Sequence, residues 1–131
     1  MDDLAANTRY YWRVRAINTV NGVEHVSGWT TVWSFHTVIA APTNLTVIQN
    51  ANLLQPTFFW DDATGTGTIT NYTIQVSTNL NFSTLRVNAT TNISSYTMLT
   101  NLPAGSTIYL RVRVNGANGP SDWTTTHFTT P

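Results

Sequence analysis

The sequence has no cysteine and no lysine, and it has few charges of either sign. Without cysteine, disulfide bonds, thiolate metal sites and thiol catalysis are excluded. All six basic residues are arginine, and six acidic residues balance them to a formal net charge of +0. Charged residues make up 9% of the chain, against about 25% in an ordinary soluble domain.

This charge balance argues against two classes of partner. A nucleic-acid binder needs clustered positive charge for the phosphates, and a polybasic membrane anchor needs the same for lipid headgroups. No apolar run approaches the roughly 20 residues of a membrane-spanning helix. We therefore expect no nucleic-acid partner and no membrane insertion.

Apolar and polar residues alternate along much of the chain, which is typical of β-strands half buried in a sheet. In residues 10–16 the alternation places Tyr10, Trp12, Val14 and Ala16 on one face. Residues 108–114 alternate in the same way. Turn signals such as Asn21-Gly22 separate the candidate strands, and short strands at this spacing predict a β-sandwich or barrel.

An internal repeat organises the chain. Residues 4–18 read LAANTRYYWRVRAIN and residues 102–115 read LPAGSTIYLRVRVN, so Arg13-Val14-Arg15 matches Arg111-Val112-Arg113 at an offset of 98. Further on, Phe35-His36-Thr37 matches Phe128-Thr129-Thr130 at an offset of 93. The chain therefore contains the end of one repeat, a short link and one full repeat.

The repeat resembles the fibronectin type III domain of the bacterial surface type. The resemblance is carried by Pro-x-x-Leu at 42–45, Phe-Phe-Trp at 58–60, the strand that begins at Tyr72, the corner that runs into Arg-Val-Arg, Gly-x-Ser-x-Trp at 119–123 and the Phe-x-Thr ending. It implies an all-β, immunoglobulin-like, seven-strand antiparallel β-sandwich in residues 42–131. Residues 1–37 match only the last two strands of such a unit, named F and G in the family, and residues 38–41 are the link.

One position departs from the family pattern. The tyrosine of the corner is present as Tyr10 in the first unit, but Ile108 replaces it in the second. The hydroxyl that ties this corner to the backbone is therefore missing there, and we expect that unit to depend more on packing.

Residues able to do chemistry are few and scattered, so we expect no enzyme, no cofactor and no metal site. His36 and His127 flank the closing phenylalanines and should face outward, and His25 should lie in a loop. Asp61-Asp62 follows a strand and should cap a turn, with a calcium site as the less favoured alternative. The Gly-Thr-Gly at 65–67 lacks the helix and lysine of a phosphate-binding loop.

Two clusters of arginine and tryptophan are better candidates for a site. Arg13 and Arg15 point outward from strand F, and the neighbouring strand lies about 4.8 Å away, so Trp29 can cover both guanidinium groups. Arg111, Arg113 and Trp123 repeat the arrangement. We interpret each cluster as a structural cation–π clasp, with an aromatic platform for a sugar ring as the alternative.

The first 37 residues supply an F–G hairpin without the strands that should cover it. A lone hairpin is marginal in water, and its inner face is rich in aromatic side chains. We expect this assembly face to pack against a partner, with a copy of the same chain favoured over a neighbouring repeat or folding back within the chain. Its residues are Tyr10, Trp12, Val14, Trp33 and Phe35.

The resemblance and the surface composition together suggest a function. We expect a non-catalytic structural or adhesive module of an extracellular or cell-surface protein, able to assemble into a filament or surface layer. The alternative is an accessory carbohydrate-binding or spacer module of a secreted polysaccharide hydrolase. The expected partners are copies of the chain or neighbouring repeats, with a glycan as a further candidate.

Overall fold

The computed structural model describes residues 4–63 and 68–131, and the regular elements in them are β-strands. The predicted loop at 65–67 lies outside the described residues. The strands are β1 Arg9–Trp12, β2 Ile17–Val20, β3 Val23–Val26, β4 Trp33–His36, β5 Thr46–Ile48, β6 Thr57–Phe59, β7 Ile69–Ser77, β8 Leu85–Thr91, β9 Ser95–Thr97, β10 Thr107–Gly116, β11 Gly119–Pro120 and β12 Thr124–Thr129. Within these ranges, no helix has the length and hydropathy needed to cross a lipid bilayer.

Residues from Thr46 onward form two antiparallel sheets. The smaller sheet has the order β5-β6-β9. The larger has the order β8-β7-β10-β12, with β11 also paired to β10. All pairings are antiparallel, which confirms the prediction of an all-β immunoglobulin-like sandwich.

Strand β10 is the long central strand of the larger sheet. Leu110 lies opposite Val76 of β7 and Thr126 of β12, and the next residue, Arg111, lies opposite Gln75 and Thr125. Because side chains alternate along a strand, even-numbered residues of β10 enter the core and odd-numbered ones face away from it.

The core lies between the two sheets. The inner-facing residues of β10, which the alternation in residues 108–114 predicts, are all buried in it. Its fully or nearly fully buried members are Ile39, Phe58, Trp60, Tyr72, Ile74, Val76, Met98, Leu102, Ile108, Leu110, Val112 and Val114. Trp60 meets Tyr72 edge to face, with ring centroids 5.4 Å apart, an arrangement that aromatic pairs prefer.

Residues 9–36 form a separate antiparallel hairpin. β1 pairs with β4 and β2 pairs with β3. Asn21 and Gly22 have φ of 50° and 77°, as the turn of a two-residue hairpin requires. The prediction that His25 lies in a loop is wrong, because this turn lets the strands continue and His25 pairs with Asn18 within β3.

The link between the hairpin and the sandwich is anchored at both ends. Ile39, predicted to lie in the link, is only 2% exposed and belongs to the core. The backbone N–H of Asn7 donates to the carbonyl of Val38 at 3.1 Å, and the Asn118 amide donates to the Asn7 side chain at 3.2 Å. The hairpin therefore leaves the sandwich next to the β10–β11 turn.

Removal of the Trp60 side chain should destabilise the sandwich more than a substitution at its surface does. We expect Trp60→Ala to lower the free energy of unfolding by about 3–5 kcal/mol, because a large buried aromatic leaves a cavity. Chemical denaturation of both proteins measures this difference in the free energy of unfolding. A severe loss from Arg111→Ala together with none from Trp60→Ala would contradict the placement of the core.

Glycine at position 116 makes room for Ile39. A Cβ there would lie 2.2 Å from Cδ1 of Ile39 and 3.0 Å from the carbonyl oxygen of Thr68. We expect Gly116→Ala to destabilise the sandwich by about 1–3 kcal/mol through overpacking. Ile39→Val removes the colliding methyl group, so the double variant should lose less stability than the sum of the two single variants. If the stability losses of the two single variants simply add up in denaturant titrations, the contact with Ile39 is not the cause of the Gly116→Ala destabilisation.

Candidate functional site

The outward face of β10 carries a stack of arginine and tryptophan side chains. The guanidinium carbon of Arg111 lies 4.3 Å from the ring centroid of Trp123, and that of Arg113 lies 4.6 Å from it. The two arginines share a face because they are two residues apart on a strand. Trp123 comes between β11 and β12, beside β10, so its indole reaches across both cations.

A second aromatic ring, which was not predicted from the sequence, contacts Arg111. Phe82 lies in the connection between β7 and β8, and its ring centroid is 4.2 Å from the Arg111 guanidinium carbon. Its φ of 54° is unusual for a residue with a bulky side chain. An aromatic residue within a polar turn was the only signal that the sequence offered for this contact.

Polar groups complete the surroundings of Arg111. Its Nε donates to Oε1 of Gln75 at 2.8 Å, and the Gln75 amide donates to Asn88 at 3.2 Å. Burial, and then the charge of Arg113, lower the pKa of Arg111 from its ordinary value. A guanidinium stays protonated at neutral pH all the same, so the ring faces meet a permanent cation.

The N-terminal hairpin repeats the stack. Arg13 and Arg15 lie 4.2 and 4.6 Å from the ring centroid of Trp29. Trp29 remains 47% exposed, so its indole is only partly covered by the two arginines. The structure thus brings together all six residues predicted for the two clusters, three in each unit.

The corner before strand F is tied by a hydroxyl in both units. In the hairpin, the Tyr10 hydroxyl accepts a hydrogen bond from the Ala5 N–H at 2.8 Å. In the sandwich, where Ile108 is fully buried, the Thr130 hydroxyl donates to the Pro103 carbonyl at 2.6 Å. It also accepts from the Ser106 N–H at 2.9 Å. The tyrosine hydroxyl is therefore missing from this corner, as predicted, and the Thr130 hydrogen bonds act beside the packing of Ile108.

The remaining polar candidates have structural surroundings. Asp61 accepts from the Asn44 amide at 2.6 Å and from the Thr43 hydroxyl at 3.1 Å, which joins two loops. His127 is exposed, as predicted. His36 alternates with the inner-facing Phe35 and so faces outward, but it is partly buried and its Nδ1 has no hydrogen-bond partner among the described residues. In residues 4–63 and 68–131, no three His, Asp or Glu side chains converge as metal ligands.

The inner face of the hairpin is uncovered. Tyr10 stacks on Phe35 with ring centroids 5.8 Å apart, and Trp12 lies 4.8 Å from Trp33. Trp12, Val14, Trp33 and Phe35 are each between 43% and 51% exposed. The five residues predicted for the assembly face therefore form one apolar, largely aromatic surface, in which Tyr10 is the most covered and the other four are about half exposed.

Solved structures show the same architecture. An Fn3-like protein from Clostridium thermocellum is similar with a TM-score of 0.54 and 21% identity, over 70% of this chain and 93% of that one. Domains d3–d4 of the rat CD45 extracellular region give a TM-score of 0.59 at 14% identity, over 99% of this chain and 67% of that one. A redesigned β-sandwich protein gives 0.58 at 24% identity, over 71% and 91%. These identities support the fold alone.

No curated protein matches the chain in sequence. The model of the fibronectin type III domain matches residues 40–130, which is more than half of the chain and covers both sheets of the sandwich. Together with the sheet order, this match shows that the chain belongs to the fibronectin type III family.

Proposed function

We propose that the chain is a non-catalytic structural or adhesive module of an extracellular, bacterial surface protein. In this proposal it assembles through its N-terminal hairpin with copies of itself or with neighbouring repeats. Fibronectin type III domains are generally modules that space or display other parts of a protein.

The exposed aromatic face of the hairpin carries this proposal. Side chains as large as Trp12 and Trp33 are rarely left in water on a two-stranded sheet, which is marginally stable by itself. Contiguous apolar surface of this kind marks an interaction site. The residues of the assembly face are mostly apolar and aromatic, so the interaction that they favour is packing.

The anchored link supports a role in spacing. Ile39 is held in the core, and the Asn7–Asn118 hydrogen bond ties the hairpin to the β10–β11 turn. A unit attached at two points transmits the orientation of one repeat to the next. The surface, which carries few charges and many hydroxyl and amide groups, is common on extracellular β-proteins.

An accessory carbohydrate-binding role is the second candidate, and the half-exposed Trp29 favours it. An indole with one accessible face can stack on a sugar ring. Against this reading, the guanidinium groups of Arg13 and Arg15 already lie over the same ring. The geometry supports the structural clasp better.

Deletion of residues 1–37 should turn an assembled chain into a monomer. Residues 38–131 retain Ile39 and the whole core, so light scattering on this shortened chain should give the mass of one copy. In the full chain, Trp12→Ser with Phe35→Ser should also reduce assembly. Tyr11→Ser is the matched control, because Tyr11 is 70% exposed on the opposite face. A full chain that is a stable monomer with hairpin amides protected from hydrogen exchange would contradict the assembly role.

Loss of the Trp123 indole distinguishes the clasp from the sugar platform. We expect Trp123→Ala to lower the melting temperature by about 5–10 °C, since two cation–π contacts and buried area are removed. Binding to a glycan array should not change. Lost glycan binding at an unchanged melting temperature would establish the platform and reject the clasp.

A further inference from the structure

The hydrogen bonds of the hairpin repeat those of the β10–β12 hairpin in the sandwich. The Ala16 N–H donates to the Ser27 hydroxyl at 2.8 Å, as the Val114 N–H does to Ser121 at 3.0 Å. Both serine hydroxyls then donate to the next carbonyl along the chain. The hairpin therefore has the local geometry of strands F and G of a complete domain.

The corners before strand F also have matching hydrogen bonds in the hairpin and in the sandwich. The Thr8 N–H donates to the Thr37 hydroxyl at 3.0 Å, as the Ser106 N–H does to Thr130 at 2.9 Å. Thr37 also donates to the Ala5 carbonyl, as Thr130 does to the Pro103 carbonyl. With the two Arg–Trp stacks on the outer faces, this correspondence identifies the exposed aromatic surface as an inner face.

Residues equivalent to that inner face are completely covered in the sandwich. At the offset of 98, Tyr10, Trp12 and Val14 correspond to Ile108, Leu110 and Val112. The latter three are 0% exposed, whereas Trp12 is 46% and Val14 is 51% exposed. In the sandwich the cover comes from the opposite sheet, β5-β6-β9, and from Phe58, whose ring lies 6.0 Å from that of Phe128.

The hairpin also lacks a strand neighbour. β10 is bonded to β7 on one side and to β12 on the other, but in the described chain β1 is bonded to β4 alone. An unpaired edge leaves backbone N–H and C=O groups available to another strand. A second hairpin packed face to face would cover the aromatic side chains but would leave this edge unpaired.

We infer that the hairpin binds a half-sandwich with the first five strands of a fibronectin type III domain. One strand of that partner pairs with β1, as β7 pairs with β10, and its second sheet covers the aromatic face. The inference rests on the proposed function and deepens it by naming the partner as a repeat unit whose first five strands are not covered by F and G strands of their own.

Side-chain size refines the chemistry of this partner. Tyr10 and Trp12 are larger than Ile108 and Leu110, and Trp33 stands where Thr126 stands in the sandwich. A core packed to normal density must compensate for this volume. The partner therefore presents smaller apolar side chains opposite the hairpin than Phe58 and Trp60.

A chain extended with its own first five strands tests the inference. Residues 40–101 are joined directly before Leu4, because Leu4 corresponds to Leu102. Ile39 is left out, since Asn18 stands at the position of Gly116 and its Cβ would collide with Ile39. A second version carries Tyr10→Ile, Trp12→Leu, Ala16→Val and Trp33→Thr, which gives the hairpin the core side chains of the sandwich. Hydrogen exchange of the hairpin amides and light scattering are measured on both.

We expect the hairpin amides of the second version to gain protection by about 100-fold or more, and that chain to be monomeric. The first version, in which Tyr10 and Trp12 meet Phe58 and Trp60, should gain less protection because its core is overpacked. If the hairpin amides are protected in the second version and not in the first, the partner is still a half-sandwich of this family, with more space opposite Tyr10 and Trp12. Trp12→Asp, made in place of Trp12→Leu in the second version, should abolish the gain, and Tyr11→Asp should not. Amides that stay unprotected in both versions would overturn the inference. The proposed function fails independently, if the chain without extension is a monomer with a protected hairpin.

Discussion

The alternation of side chains along β10 is the constraint on which both the core and the candidate site depend. Each residue that enters the core, such as Leu110 or Val112, is followed by one that faces away from it, such as Arg111 or Arg113. The core side chains fix the register against β7 and β12. That register in turn brings the two guanidinium groups beneath Trp123, so the stack is a consequence of how the strand is buried.

The same alternation is present in the N-terminal hairpin, where it forms the Arg–Trp stack but not a closed core. The outer face forms its Arg–Trp stack with distances close to those of the sandwich, because the stack needs only two neighbouring strands. The inner face needs a second sheet, and Trp12 and Trp33 are left half exposed. Local pairing is therefore enough for the clasp and insufficient for the core. This difference makes the hairpin an interaction surface.

The two corners show how one structural requirement is met by different residues. Strand F must start at a defined angle, and buried backbone groups at this bend need partners. In the hairpin, Tyr10 and Thr37 both bond to the segment around Ala5. In the sandwich, Thr130 alone holds the corresponding carbonyl of Pro103, and the buried Ile108 adds apolar contact in place of the tyrosine. The threonine is common to both units, and the tyrosine is the variable part.

Period-two alternation and the turn residues predicted a β-sandwich or barrel, and the resemblance to the fibronectin type III domain selected the sandwich. The alternation and the internal repeat also predicted the members of both Arg–Trp clusters. These features are local or repeat along the chain, so the sequence by itself determined them. Three others depend on distant segments that meet only in the folded chain. Ile39 enters the core because Gly116 leaves space for it, Phe82 reaches Arg111 from another connection, and Thr130 closes a corner that begins at Pro103. Only the tertiary structure could decide these contacts, because each joins residues that lie far apart along the chain, and their spacing does not indicate that they meet.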